Sequence, residues 1–281
     1  MMQPEITPYH HPATGTVSYL IVDPATFLCA IVDPVLDFDP VTEAVDTGFV
    51  DKMIADIRAK DLGPTWILET GLHAGHLSAA GHLKYETGAS VCIGAAVVDS
   101  LKRLAPKFGE TMVDLDGWDF DKLAQDGDTF PMGGLEITPI ALTGRLPGAV
   151  AYKMADVIFT GDLLLAPAEG AGRCDIPGAD AGRTWDDVQK ILALPPQTRV
   201  LPGVCALEPT EATVAEQKAS NIQLNDKIDR LDFIALRTAA DAFLPDPTVA
   251  SAALRVAIRS GRPPSPPESG PRFPPVDLGA L

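Results

Sequence analysis

The chain has 281 residues, with 22 Lys plus Arg against 38 Asp plus Glu, a formal net charge of −16. That acidity excludes nucleic acid and anionic membranes as partners, because both need a basic face to neutralise phosphates. An apolar content of 46% in a chain of this length supports one large domain or two small ones around a sizeable core, and five histidines are on hand for any metal site.

The first β-type runs are Thr16 to Val22 (TVSYLIV) and Leu28 to Val32 (LCAIV), rich in β-branched and aromatic residues. Asp23-Pro24-Ala25-Thr26 joins them as a hairpin-like turn, and Asp33-Pro34 ends the second run. Val50, Met53, Ile54 and Ile57 recur at helical spacing up to Gly63-Pro64. Thr65 to Glu69 reads as a buried strand, Leu77, Ala80 and Leu83 as a helix, and Val91 to Ile93 as a short strand. Leu135 to Ile140, Ala149 to Tyr152 and Val157 to Thr160 are further strands. Thr184-Trp185-Asp186-Asp187 has the pattern of a capping box before a helix carrying Val188, Ile191 and Leu192. Arg199 to Leu201 is the last strand. Glu211 to about Phe243 reads as mostly helical, with Val214, Ile222, Ile228 and Leu231 as core positions.

After Ser260, prolines crowd the sequence RPPSPPESGPRFPP, which can be neither helix nor central strand. The expected organisation is a single layered α/β domain over 1–260 and a Pro-rich arm over 261–281, extended along the surface or disordered. Cys29, Cys92, Cys174 and Cys205 lie far apart with no CxxC pair, which suits reduced thiols. No apolar stretch approaches the roughly 20 residues of a membrane span, and the N-terminal segment lacks a basic start with an apolar run. A cytoplasmic protein is expected.

One segment carries chemistry. Ile67 to Ala80 (ILETGLHAGHLSAA) is a buried strand that delivers a polar loop, with His73 and His76 in it. Two histidines three apart are a weak metal signal alone. The whole segment resembles the T-H-x-H-x-D-H-L-S-A-A loop of the metallo-β-lactamase superfamily, in its persulfide dioxygenase and β-lactamase-like hydrolase branch. Ala30 to Asp39 resembles that branch's first strand and turn. Phe159-Thr160-Gly161-Asp162 resembles its G-D strand end, Gly172 to Ala181 its R-C-D-F-P-G-G-D-A loop, and Leu194 to Val200 the strand before its last ligand. The resemblance runs from about Thr16 to Pro264. It implies an α/β fold, the metallo-β-lactamase αβ/βα four-layer sandwich, and a family guess of a homodimer.

The resemblance also implies seven metal-ligand positions, and this chain departs from most of them. Gly71 and Gly75 stand where the first loop has His and Asp. Arg145 stands where T-P-G-H-T has its His, and Val204 where C-H-D-Y has its last His. His73, His76 and Asp162 remain as residual metal-ligand positions. They are too few for the dinuclear zinc arrangement or for the mononuclear iron triad of the dioxygenases. The expectation is no resident cofactor, or at most weakly held Zn or Fe.

An always-protonated Arg145 where a metal should sit predicts an ion pair with Asp162. Asp162, Arg145 and Cys205 are therefore the candidate chemical residues, with Cys205 expected at the rim near His73 or His76. His10, His11 and His82 read as surface residues, and Arg173, Asp175 and Asp180 as braces under the sheet end. The leading expectation is a protein of this fold without metal-dependent catalysis that binds a small anionic or thiol ligand on Arg145. The alternative is a hydrolase-like enzyme whose rebuilt site uses His73, His76, Asp162 or Cys205.

Overall fold

The computed structural model describes residues 3–176, 178–206, 211–244 and 248–277. The first six-stranded sheet has the order β1 (Glu5–His10), β2 (Val17–Val22), β3 (Leu28–Val32), β6 (Gly63–Leu68), β8 (Ser90–Gly94), β9 (Lys122–Ala124). The second has the order β10 (Phe130–Met132), β11 (Leu135–Ala141), β12 (Val150–Met154), β13 (Val157–Gly161), β14 (Arg199–Pro202), β15 (Ala212–Thr213). A small sheet of β5 (Ala44–Asp46), β4 (Val35–Asp39) and β7 (Leu77–Ser78) sits beside the first.

The two-residue period of the strands divides the core into three. Tyr19, Ile21, Ala30, Val32 and Leu68 point inward and meet Ile137, Tyr152, Phe159 and Leu201 of the second sheet. Their neighbours Leu20 and Ile31 point outward and are covered by helices α1 (Gly48–Ala59), α2 (Ala80–Thr87), α3 (Val97–Lys107) and α7 (Ala250–Ala257). Ala151, Ile158 and Val200 on the far side pack against α4 (Ala181–Leu192), α5 (Val214–Ser220) and α6 (Arg230–Asp241). With both faces covered, β2 is buried along its whole length, which is why it reads as a continuous apolar run. The result is the expected four-layer αβ/βα sandwich.

Several local expectations are corrected. Asp180, not Thr184, caps α4, accepting from the Arg183 N–H, and Thr184 lies buried inside the helix. The true capping box is Thr213 with Glu216, at the start of α5. Leu77 belongs to β7 rather than to a helix. Ile222 and Leu231 are exposed, because the expected long helix is two helices separated at 221–229. His11 is buried, hydrogen-bonded to Thr14 Oγ1 at 2.8 Å and Asp37 Oδ1 at 3.1 Å.

The Pro-rich arm is anchored at two places, with 265–271 exposed between them. Gly261 passes so close to Ala80 and Gly81 that a Cβ would sit 2.6 Å from the Gly81 amide. Further on, Phe273 is buried and meets Phe38 edge-on at 5.3 Å, while the Arg272 N–H donates to the Glu43 carboxylate. Leu278 to Leu281 lie outside the described residues.

Candidate functional site

Four strands end at one place. β3 pairs parallel to β6, and β13 parallel to β14, so their C-terminal ends deliver loops to the same edge of the sandwich. The end of β3 supplies Asp33, the end of β6 supplies Glu69 to His76, β13 supplies Asp162 and β14 supplies Val204. Gly161 is needed at the β13 end, where φ is +52° and a Cβ would overlap the Thr70 side chain.

Arg145 arrives from the loop between β11 and β12, and α4 holds that loop. Asp187, fully buried, accepts the backbone N–H of Gly144 at 2.7 Å and that of Thr143, and Thr184 Oγ1 donates to the Gly144 carbonyl at 3.0 Å. The Thr184 to Asp187 segment thus positions Arg145 rather than capping its own helix.

His73 is the hub. Its Nδ1 lies 3.2 Å from Asp162 Oδ2, and its Nε2 lies 2.9 Å from Thr70 Oγ1 and 3.3 Å from Asp33 Oδ1. Thr70 Oγ1 donates to Asp33 Oδ2 at 2.7 Å, so it accepts from His73 Nε2, a proton assignment set by the network. The Thr70 N–H also donates to Asp33 Oδ1 at 2.7 Å. Burial works against a charged imidazole, but the carboxylates of Asp33 and Asp162 outweigh it and hold His73 protonated well above the usual histidine range. The second histidine behaves oppositely. His76 stacks on His73 at 4.7 Å, and burial followed by the charge of His73 pushes its pKa down to about 3. Its Nε2 is buried and has no hydrogen-bond partner among the described residues.

Asp162 remains ionised. Burial opposes this, but the cationic His73 first and then Arg145 hold its carboxyl well below the usual range. Arg145 Nη2 lies 3.9 Å from Asp162 Oδ2, at the outer limit of an ion pair, and its Nη1 donates to the Arg173 carbonyl. Arg173 in turn is chelated by Asp175, with both contacts at 2.6 Å. Cys205 is placed apart from this cluster. Val204 and Ala206 line the adjoining cleft, whereas Cys205 between them is buried in the core between the sheets, and its Sγ donates to Glu169 Oε1 at 3.6 Å.

Two spaces open here. A small pocket of about 30 Å³ lies among Thr70, Gly71, His73, Arg145, Ala149 and Asp162, room for about two waters. A cleft of about 480 Å³ adjoins it, with Arg145 and Asp162 shared and with Leu165, Ile176, Val204 and Leu244 as larger apolar walls. Among the described residues, no group of three or more His, Cys, Asp or Glu is arranged to hold a metal ion. No helix among them is long and apolar enough to cross a membrane.

Two residues of this cluster escaped sequence reasoning. Asp33 is fully buried in a left-handed conformation at φ +45°, and Glu69 is buried with Ser78 Oγ donating to Oε1 at 2.7 Å. Each follows a buried strand directly, which was the available signal. Burial, then the Asp33 charge, pushes Glu69 up to about 8 from an ordinary 4.5. The folded protein therefore keeps a proton that the unfolded chain releases between pH 4.5 and about 8, and stability is lost as pH rises through that window. Glu69→Gln keeps a neutral partner for Ser78. It should flatten this dependence, which reaches at most about 1.4 kcal/mol per pH unit, in denaturant titrations at pH 5, 6, 7 and 8.

The family match to known proteins spans this site. The description "Metallo-beta-lactamase superfamily" matches residues 11–204. A Burkholderia pseudomallei protein named a probable metallo-hydrolase is 35% identical over 97% of this chain and 98% of its own length. An Agrobacterium fabrum "Beta-lactamase hydrolase-like protein" is 38% identical over 96% of this chain, which spans only 64% of that relative. Dictyostelium discoideum "Glyoxylase B2" is 34% identical over 99% of this chain and 97% of its own. Among solved structures, ETHE1 from Myxococcus xanthus superposes with a TM-score of 0.75 at 25% identity, covering 92% of this chain and all of that one. With the four-layer sandwich, the loop site at its strand ends and these matches in agreement, the chain belongs to the metallo-beta-lactamase superfamily.

Proposed function

We propose that this protein is a metal-free member of its superfamily, a ligand-binding protein that has given up metal-dependent hydrolysis and sulfur oxidation. The observation that carries the reading is Arg145. Its guanidinium, 3.9 Å from Asp162, brings a fixed positive charge to the carboxylate that would bridge the metals. Gly71, Gly75 and Val204 supply no donor, and His73 and Asp162 are bonded to each other. A zinc site needs three or four protein donors in one constellation, and the residues present do not fit one.

In place of a metal, the cluster carries its positive charge on His73 and Arg145. This arrangement can bind and orient a small ligand with an anionic group on Arg145, beside a neutral His76. The names of the relatives favour the ordinary hydrolase, which makes metal content the deciding measurement. Protein purified without added metal should contain less than about a tenth of an equivalent of zinc, iron or manganese by elemental analysis, against about one for a structural or catalytic site. Near-stoichiometric metal would overturn the proposal and return the chain to metal-assisted hydrolysis or oxidation.

A further inference from the structure

The cleft beside Arg145 has a chemistry that can be read atom by atom. Arg145 is 8% exposed, yet among the described residues its guanidinium makes one hydrogen bond, from Nη1 to the Arg173 carbonyl. Its Nη2 has only the long contact to Asp162, at 3.9 Å. A buried guanidinium with donors left over is costly unless something else accepts from them. Asp162 is the mirror case. Both of its contacts, from His73 and from Arg145, fall on Oδ2, and among the described residues none falls on Oδ1. Both residues line the cleft.

The other cleft arginines are each held by an acid, although the Nε of Arg237 is buried without a partner among the described residues. Arg173 is chelated by Asp175, and Arg237 is tied to Asp241 at 2.7 Å and to the Ala171 carbonyl at 2.7 Å. Arg145 and Asp162 therefore offer a cationic donor and an anionic acceptor side by side, 3.9 Å apart. The cations His73 and Arg145 are offset by the carboxylates Asp33 and Asp162, so a ligand bringing a single net charge would unbalance the cluster. Leu165, Ile176, Val204 and Leu244 give the cleft an aliphatic wall, while Thr14 and Glu169 also line it, Glu169 accepting from the Ala206 N–H at 2.9 Å. The volume, about 480 Å³, falls in the range of small-molecule sites.

We propose that the cleft takes a free α-amino acid with an apolar side chain, its carboxylate on Arg145, its ammonium on Asp162 and its side chain against the aliphatic wall. An α-amino acid carries both charged ends on a single carbon, which suits a donor and an acceptor this close together. The inference deepens the metal-free reading, since it needs Arg145 and Asp162 facing the ligand rather than an ion.

The test is isothermal titration of the full chain with four probes: L-leucine, L-phenylalanine, 4-methylpentanoate and 3-methylbutylamine. The last two are leucine without its ammonium and without its carboxylate. One or both amino acids should bind, and each truncated probe should bind about tenfold or more weakly, the loss of one charge-assisted hydrogen bond. Arg145→Gln, confirmed as folded by circular dichroism, should bring L-leucine and 3-methylbutylamine to the same affinity. Binding of 4-methylpentanoate as tight as that of L-leucine would overturn the proposal in favour of a plain anion site. Absence of heat with both amino acids at millimolar concentration would overturn it outright. Metal content measured on the same preparation keeps the outcomes separate: a metal-free protein that ignores amino acids loses only this inference, while a metal-loaded one loses the reading beneath it.

Discussion

If the proposed metal-free reading holds, Gly71→His, Gly75→Asp, Arg145→His and Val204→His, introduced together, should give a protein that retains about one to two equivalents of zinc or iron where the parent retains less than about a tenth. The backbone is ready for them. Gly75 has nothing within 4 Å of a built Cβ, and at Gly71 the nearest atom is Ala149 Cα at 3.4 Å, an ordinary contact. Neither glycine has a positive φ, so neither is demanded by its conformation. On the metal-free reading, the scaffold lacks these donors but still has room for them. Arg145→His alone removes the fixed cation and adds a third donor beside His73 and Asp162, so it should give partial occupancy, between the parent and the fourfold variant. Elemental analysis after gel filtration reads all three proteins. A fourfold variant that folds and stays empty would falsify the assignment of these four positions.

Asp33→Ala should be the most damaging single change in the site, costing about 3–5 kcal/mol in denaturant-induced unfolding, the usual loss when one partner of a buried charged network is removed. Asp33 is fully buried, takes two hydrogen bonds from Thr70 at 2.7 Å each, and faces His73 Nε2 at 3.3 Å. Its removal strands the Thr70 amide and leaves Asp162 as the one close carboxylate of the His73 imidazolium. Asp33→Asn retains an acceptor for Thr70 but not the charge, so it should cost clearly less and lower the pKa of His73. Titration of the His73 ring by NMR separates the two effects. Equal stability losses for Ala and Asn would mean that the negative charge, and not the hydrogen bonds, is what the fold needs there.

The parts of the molecule that were legible in the sequence are those with local signals. The buried strands around residues 17–32 announced themselves as apolar runs, and the resemblance of three separate segments to one family placed His73, His76, Arg145 and Asp162 together. What stayed hidden depends on long-range packing. Helix α7 is buried at every residue but Ser251, and its Arg255 reads as a surface residue until Glu110 is found 2.9 Å away. Helix α3 carries Pro106 in its last turn, which mimics a stop. Ile222 and Leu231 were read as core across a break that Asn221, Asn225 and the N-cap Asp229 mark in the sequence. The Asp33–Thr70–His73 chain joins two strand ends more than thirty residues apart, and no spacing rule reaches that far. Cys205, expected at the rim, lies buried between Val204 and Ala206, which line the cleft; three consecutive side chains past the end of β14 diverge in a way no local spacing announces.

The convergence of four strand ends has a thermodynamic reach beyond the site. Asp33 and His73 belong to the first sheet's half of the sandwich, Arg145 and Asp162 to the second, so the cluster exists only while the two halves are docked. Anything that binds there binds the docked form alone, and by mass action it stabilises the closure of the two halves on each other rather than the tightening of one loop. Occupancy should therefore be felt as slower amide exchange deep in β2, β6 and β12, far from any atom the ligand touches, and as a concentration-dependent rise in the melting temperature of the whole domain.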